Sequence, residues 1–577
     1  MTPLGKMTLK HLLDRSVELY GNRPALSMVD GESLTYAEVG GQVRTLSQIL
    51  RHRGIASGDR IAILSENKPN WGIAYFAVTT MGAVAVPILP EFRANEVHHI
   101  LRHSGAKAVF ISEKQYSKLE DAEIEDLHTV FLTEDFSVMP PRASAHTFHE
   151  ILHAGRREFA RLKESALKIA NRIPAEIGED DIASVIYTSG TTGHSKGVVL
   201  THKNLVFDVE ATLKIQEVNS ADRLLSVLPL SHSYECTIGF LIPMSTGACV
   251  YYLDKPPVAK VLMPALEKVR PTLMMTVPLI MEKIYKLRIH PRLTRNALMR
   301  KAYGIPAIRK KLHRISAGKV YRLFGGKLHF FGIGGALLAP DVELFLREGG
   351  FPYAIGYGLT ETSPLAAGCG SRVTRYRSIG PALPGVEIRI DKPDPSTGEG
   401  EIWIKGPTVM KGYYKDPERT AEVMTPDGWF RTGDLGSLDK DGYLYIKGRL
   451  KNMIVGPSGE NIYPEEIESV INESNEVMES LVYQADGQLT ARVHLNYDEM
   501  DKEFGGRNLG ETQIAQRISE KLEALRLRVN DRVTTFSRIK KIIEQPEPFE
   551  KTPTNKIKRY LYVSDDKAVS DGTETHT

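Results

Sequence analysis

Tyr187-Thr188-Ser189-Gly190-Thr191-Thr192-Gly193-His194-Ser195-Lys196-Gly197 packs three Gly, five Ser or Thr and one Lys into eleven positions. Such a run has little side chain to bury, so it forms a tight or flexible loop whose backbone can approach a ligand. Ile182-Ala183-Ser184-Val185-Ile186 before it has the length and β-branching of a buried strand, and Gly197-Val198-Val199-Leu200-Thr201 after it reads as a second strand. A strand feeding a Gly/Ser/Thr loop with a Lys can cradle phosphates, with N–H and hydroxyl donors around the oxygens and an ammonium neutralising charge. A plain hairpin turn or solvated linker fits the same composition. The Walker pattern G-x-x-x-x-G-K-[ST] fails, because Ser195 stands in its sixth position and Gly197 follows the Lys. Gly193-His194-Ser195-Lys196-Gly197 fits the G-x-S-x-G elbow of serine hydrolases, but that elbow opens a helix, and here a strand is expected.

The whole chain sets the bounds. Its 577 residues are too many for one ordinary core and suggest three or four domain-sized units. With 42% hydrophobic and 25% charged residues it has a soluble, globular composition, and a net charge of +3 gives no global case for nucleic acid. Cys236, Cys249 and Cys369 are too few and too scattered for a disulfide framework or zinc site, which points to a reducing compartment and a cytoplasmic protein. Met1 to Leu19 has no apolar core, so no secretory signal is expected. The longest apolar stretch, Tyr75 to Pro90, is broken by Thr79, Thr80, Gly82 and Pro87 and does not read as a membrane span.

Upstream of the loop, a helical pattern from Thr35 to about Arg53 leads to strand-like Arg60 to Leu64, a helix around Trp71 to Met81, strand-like Val84 to Val86, a helix around Ala94 to His103, and strand-like Ala108 to Ile111. That alternation predicts a doubly wound parallel α/β sheet. From Glu113 to Ile177 the pattern weakens, and a connecting region with helices is expected. Downstream, Leu225 to Leu228 and Thr272 to Val277 read as strands, the first running into His232 and the second into a helix over Leu279 to Leu287. Two further Gly-rich turns follow strand-like runs, at Gly332-Ile333-Gly334-Gly335-Ala336 and at Gly356-Tyr357-Gly358-Leu359-Thr360-Glu361. In an open α/β sheet such turns can meet in one crevice at the carboxyl ends of strands. A carboxylate such as Glu361 beside a phosphate loop is suited to Mg²⁺. From Arg288 to His329 there are twelve Lys and Arg and no Asp or Glu, with apolar residues such as Leu293, Leu298 and Ile305 between them. A one-signed run is usually a solvated face, but it also suits anionic lipid headgroups or a polyphosphate.

Five ordered motifs carry a resemblance: Tyr187 to Gly197, Tyr357-Gly358-Leu359-Thr360-Glu361-Thr362, Gly428-Trp429-Phe430-Arg431-Thr432-Gly433-Asp434, Gly448-Arg449-Leu450-Lys451-Asn452, and Pro553-Thr554-Asn555-Lys556-Ile557. Together they resemble the core motifs of the adenylate-forming enzymes. Leu228-Pro229-Leu230-Ser231-His232-Ser233-Tyr234-Glu235 and Val277-Pro278-Leu279-Ile280-Met281-Glu282-Lys283 look most like the long-chain fatty acyl-CoA synthetases.

The resemblance implies a large α/β domain with doubly wound sheets over residues 1–448 and a small mobile α+β domain over 449–563; residues 564–577 are polar, lack apolar periodicity and read as a disordered tail. It implies that a carboxylate attacks the α-phosphorus of ATP to give acyl-AMP, which the thiol of CoA then takes up. By resemblance, Thr188, Ser189, Gly190, Thr191, Thr192, Gly193 and Lys196 hold the outer phosphates, Thr360 contacts the α-phosphate and Glu361 ligates Mg²⁺. Gly334, Gly335, Ala336, Tyr357 and Gly358 frame the adenine, while Asp434 and Arg449 hold the ribose. Lys556 meets the attacking carboxylate, His232 gates or orients it, Lys451 is the hinge, and Gly459 lines the CoA tunnel. Two departures stand out: Lys451 occupies a hinge position where the family often has Asp, and the loop Gly456-Pro457-Ser458-Gly459 is one residue longer than in many CoA ligases. The sequence reading is therefore a ligase activating a medium- to long-chain fatty acid, in contact with an anionic membrane surface. An acyl carrier protein stays open as the alternative acceptor, and a Ser195 hydrolase or a silent nucleotide-binding regulator are rivals.

Overall fold

Ile182–Thr188 pairs antiparallel with Lys196–Thr201, with Tyr187 opposite Gly197 and Thr188 opposite Lys196, so the phosphate-type loop joins two strands of a hairpin. The computed structural model describes residues 5–120, 122–140, 148–168, 176–188, 195–456, 460–497, 500, 511–552 and 556–563. A strand follows Ser195 where a hydrolase elbow needs a helix, and this removes the elbow reading.

The hairpin belongs to an eight-stranded sheet ordered Gly412–Tyr413, Lys196–Thr201, Ile182–Thr188, Val84–Ile88, Arg60–Leu64, Ala106–Ile111, Thr129–Leu132 and Val138–Met139. Its centre is parallel, with helices Pro69–Thr79 and Ala94–Ser104 as crossovers, and its edges are antiparallel. Thr35 caps the helix Tyr36–His52 with Glu38 completing the capping box. The broken apolar stretch resolves into the end of Pro69–Thr79 and the strand Val84–Ile88, both fully buried. One expectation needs correcting: the stretch read as connecting helices also supplies Thr129–Leu132 and Val138–Met139. Strands of four and two residues are too short to leave a periodic trace.

A second eight-stranded sheet runs Leu365–Gly368, Tyr353–Gly358, Phe330–Ile333, Leu273–Thr276, Arg223–Ser226, Cys249–Tyr252, Pro24–Met28 and Ser33–Thr35. From Tyr353–Gly358 to Pro24–Met28 its pairs are parallel. An aromatic cluster binds the two sheets: Trp71 stacks on Tyr75 at 5.3 Å, and Phe240 meets Trp71 edge-on at 6.3 Å. Phe240 reaches them because residue 72 is glycine, whose absent Cβ would stand 2.8 Å from its ring. Burying side chains of this size stabilises by about 1.5–3 kcal/mol each, so parting the two sheets here is costly.

A third, antiparallel sheet of four strands spans Glu387–Asp391 to Leu444–Arg449. Beyond it, residues 454–562 contain separate cores, one formed by Ile467, Ile471, Val482, Val493, Leu525 and Ile539 among others. Recorded contacts between this part and the rest include several polar ones. Tyr463 donates to Glu399 at 2.8 Å, Lys447 pairs with Glu466 at 3.2 Å, Asn475 meets His290 at 3.2 Å, and Lys286 donates to the Asn472 carbonyl. These half-buried polar contacts differ in kind from the fully buried aromatic cluster between the two sheets. Among the described residues no helix is long and apolar enough to cross a membrane.

Candidate active site

The strands Arg223–Ser226, Leu273–Thr276, Phe330–Ile333 and Tyr353–Gly358 run parallel and end on one side, and the loops they release carry His232, Gly334 to Ala336, and Gly358 to Glu361. Gly358 could not be another residue, since a Cβ there would lie 1.8 Å from the Pro364 carbonyl oxygen. Gly335 adopts φ +88°, which turns the chain sharply after its strand. Tyr234 lays its ring on Gly334, whose Cβ would be 3.3 Å from it.

Lys196, Glu361 and Tyr413 form a triangle. Lys196 Nζ donates to Glu361 Oε1 at 2.8 Å and to the Tyr413 hydroxyl at 2.6 Å, and that hydroxyl donates to Glu361 Oε1 at 2.9 Å. Burial alone would raise the Glu361 pKa, but the Lys196 ammonium and these hydrogen bonds hold it below the usual carboxylate value, so Glu361 is ionised. Its carboxylate and the hydroxyl of Thr188, buried without a partner among the described residues, suit a metal–phosphate ligand.

Asp434 and Arg449 are cross-strand neighbours. Arg449 Nε contacts Asp434 Oδ1 at 2.7 Å, and the Tyr357 hydroxyl donates to Oδ2 at 2.7 Å. The Lys556 carbonyl accepts from Thr552 N–H at 2.8 Å, and the Lys556 ammonium feels Arg449, Asp434 and Glu361. Its stem stays open to solvent, yet its ammonium is crowded: burial first and Arg449 second lower its pKa, with Asp434 and Glu361 opposing. Lys451, also lowered by burial first, is then pushed down by Arg449, Lys196, Arg559 and Lys556. Four cations, Lys196, Arg449, Lys451 and Lys556, thus share one cleft with two carboxylates.

His232 is half-buried next to them, and desolvation first and Lys556 second take its pKa down to about 4. Tyr234 N–H donates to His232 Nδ1 at 3.2 Å, so the neutral ring carries its proton on Nε2. The loop holding His232 is tied by Asn67, whose amide nitrogen donates to Ser226 Oγ at 2.9 Å and the Leu228 carbonyl at 2.6 Å while its oxygen accepts from Leu230 N–H at 2.8 Å. Ser226 Oγ in turn donates to Glu235 Oε1 at 2.5 Å. Glu235 is fully buried, and burial pushes its pKa up to about 8.

Of the residues singled out in the sequence, Thr188, Lys196, His232, Gly334, Gly335, Ala336, Tyr357, Gly358, Thr360, Glu361, Asp434, Arg449, Lys451 and Lys556 lie in the loops and strands around this cleft. Ser189, Gly190, Thr191, Thr192, Gly193 and Gly459 lie outside the described residues. Tyr413 and Asn67 went unnoticed. Gly412-Tyr413-Tyr414 before Asp416-Pro417 marks a short strand ahead of a helix cap, the one hint for Tyr413, while nothing local announces Asn67.

Residues 13–414 match the family described as AMP-binding enzyme. The chain belongs to that family. It is 28% identical over 94% of its length to the long-chain-fatty-acid–CoA ligase FadD15 of Mycobacterium bovis, covering 93% of that protein. It is also 28% identical over 81% of its length to the long-chain-fatty-acid–[acyl-carrier-protein] ligase AEE15 of Arabidopsis thaliana, covering 73% of it. Among solved structures, the ATP-bound RpMatB-BxBclM chimera B1 superposes with a TM-score of 0.75 at 25% identity, over 97% of this chain and 99% of the other.

Two expectations follow for this AMP-binding enzyme. Tyr413→Phe removes the hydroxyl shared by Lys196 and Glu361; MgATP affinity by calorimetry should fall about tenfold, or ~1.4 kcal/mol, with the melting temperature nearly unchanged. Glu235 has a folded pKa raised to about 8 from 4.5, so its stabilisation is full below the unfolded value and is lost as pH rises through 8. Denaturant titrations at pH 5.5 and 8.5 should show wild type weakening more than Glu235→Gln; equal slopes would refute the neutral carboxyl.

Proposed function

We propose that this cleft activates a medium- to long-chain fatty acid with ATP to give acyl-AMP and pyrophosphate, then passes the acyl group to CoA. The observation that carries the reading is the gathering of Lys196, Arg449, Lys451 and Lys556 around Glu361 and Asp434, a charge pattern that calls for a polyanion. Bringing a carboxylate onto a triphosphate is a charge problem, and fixed cations in a partly desolvated cleft lower its barrier. Lys196, Thr188 and the residues of the loop 189–193 bind the outer phosphates, and Thr360 the α-phosphate. Glu361 would hold Mg²⁺, which when bound neutralises phosphate charge. Asp434 accepts the ribose hydroxyls, with Arg449 and Tyr357 fixing its two oxygens, and Gly334, Gly335, Ala336 and Gly358 leave room for the adenine. Lys556 faces the incoming carboxylate, and the neutral His232 orients it through its Nε2 proton.

The substrate class is supported by the long-chain-fatty-acid–CoA ligase among the relatives.

The acceptor step needs Lys556 to leave. Residues 449–563 form the mobile part, separated from residues 1–448 at Arg449 and pivoting at Lys451, and polar contacts at the junction favour such a rotation. Gly459 would then line the path of the CoA thiol. The carrier-protein ligase among the relatives keeps a second acceptor in view, and the fatty acid would be drawn from an anionic lipid surface at the cytoplasmic face of a membrane.

Incubating the protein with ATP, Mg²⁺ and saturated acids of two to twenty carbons, with CoA or acyl carrier protein, tests the reading. Acyl-CoA should form best above about eight carbons; acylation of carrier protein alone, or a preference for acetate, would overturn it.

A further inference from the structure

Residues 287–323 concentrate exposed apolar surface where charge is all of one sign. Of the nineteen large apolar side chains exposed among the described residues, six lie here: Leu287, Leu298, Ile305, Ile308, Ile315 and Leu323, with Leu298 at 79%. The helices Ala297–Tyr303 and Pro306–Leu323 carry most of them. Pro306–Leu323 buries His313, Ala317 and Val320 against helix Pro340–Gly349, where Glu348 takes up Arg309 at 2.9 Å and His313 at 2.7 Å. Its opposite stripe, at spacings of three and four residues, reads Ile308, Lys311, Ile315, Lys319, Arg322. Aliphatic tips and long cations therefore alternate on one outward face, and Lys310, Arg314, Arg300 and Lys301 widen it.

A helix face meant only for water would not repeat Ile at that register, and one meant for an acidic protein would not need it. Aliphatic side chains that can sink below the headgroups, beside cations that stay level with them, match an anionic bilayer in both chemistry and depth. We infer that the outer face of helices Ala297–Tyr303 and Pro306–Leu323 is a docking surface for membranes bearing anionic lipid, through shallow insertion of Leu298, Ile308 and Ile315 and charge contact by Lys311, Lys319 and Arg322. Its purpose rests on the fatty acid reading above, since a bilayer is where such a substrate dissolves; the binding itself does not.

The test is co-sedimentation of the full chain with vesicles of phosphatidylcholine alone or with one-third phosphatidylglycerol, at 50 and 500 mM salt. Wild type should bind only the anionic vesicles and lose about tenfold at high salt. Lys311→Glu/Lys319→Glu/Arg322→Glu should abolish binding, and Leu298→Ser/Ile308→Ser/Ile315→Ser should weaken it at least fivefold, both with wild-type pyrophosphate exchange on a soluble medium-chain acid. Unchanged binding in either variant overturns the proposal, as does binding of acyl carrier protein or RNA to this face with no vesicle binding. Loss of exchange activity in wild type would sink the ligase reading alone.

Discussion

The arrangement of this chain depends on a repulsion. Lys196, Arg449, Lys451 and Lys556 converge on one cleft with Glu361 and Asp434, and burial first, then neighbouring cations, lower the pKa values of Lys451 and Lys556. Two unit charges 4 Å apart repel by about 4 kcal/mol at an effective dielectric constant of 20. A fold keeps such a cluster only if its ligand is a polyanion that reverses the sign of the interaction. The two carboxylates serve to fix individual cations: Glu361 holds Lys196 with help from Tyr413, and Asp434 holds Arg449 with help from Tyr357.

The junctions differ in kind. Lys196 and Glu361 lie on or next to the two sheets joined by buried aromatics, which cannot separate without exposing Trp71, Tyr75 and Phe240, while Asp434 lies on the third sheet. Lys556 and Lys451 arrive from beyond Arg449, across contacts such as Tyr463–Glu399 and Lys447–Glu466. On the proposed reading, phosphate charge in the cleft would hold the two parts together, and once pyrophosphate leaves the cations would favour separation. His232 is insulated from this swing because it is already neutral, with a pKa near 4.

Much of this was legible in the residues. The loop at Tyr187–Gly197, the Gly-rich turns at 334 and 358, and the alternation from Arg60 to Ile111 follow from backbone demands that local sequence must satisfy. Lys556 was legible only through its neighbours Thr554-Asn555, since a lone Lys in a basic tail is ordinarily a surface residue. What stayed hidden depends on distant pairing. Tyr413 matters because Gly412–Tyr413 pairs with Val198 and Val199, and Asn67 because it bridges to a loop 160 residues away. The short strands at 129 and 138 left no pattern at all. The basic segment was visible as charge, but the alternation of Ile308, Lys311, Ile315 and Lys319 on one face has meaning only once Pro306–Leu323 is a helix with a buried side.

The most direct measurement separates the two half-reactions in Lys556→Ala. If Lys556 serves only the closed, phosphate-bearing arrangement, carboxylate-dependent ATP–pyrophosphate exchange should fall by at least a hundredfold, while thioester formation from supplied acyl-AMP and CoA stays within about threefold of wild type. Equal loss in both halves, or exchange at the wild-type rate, would contradict the account.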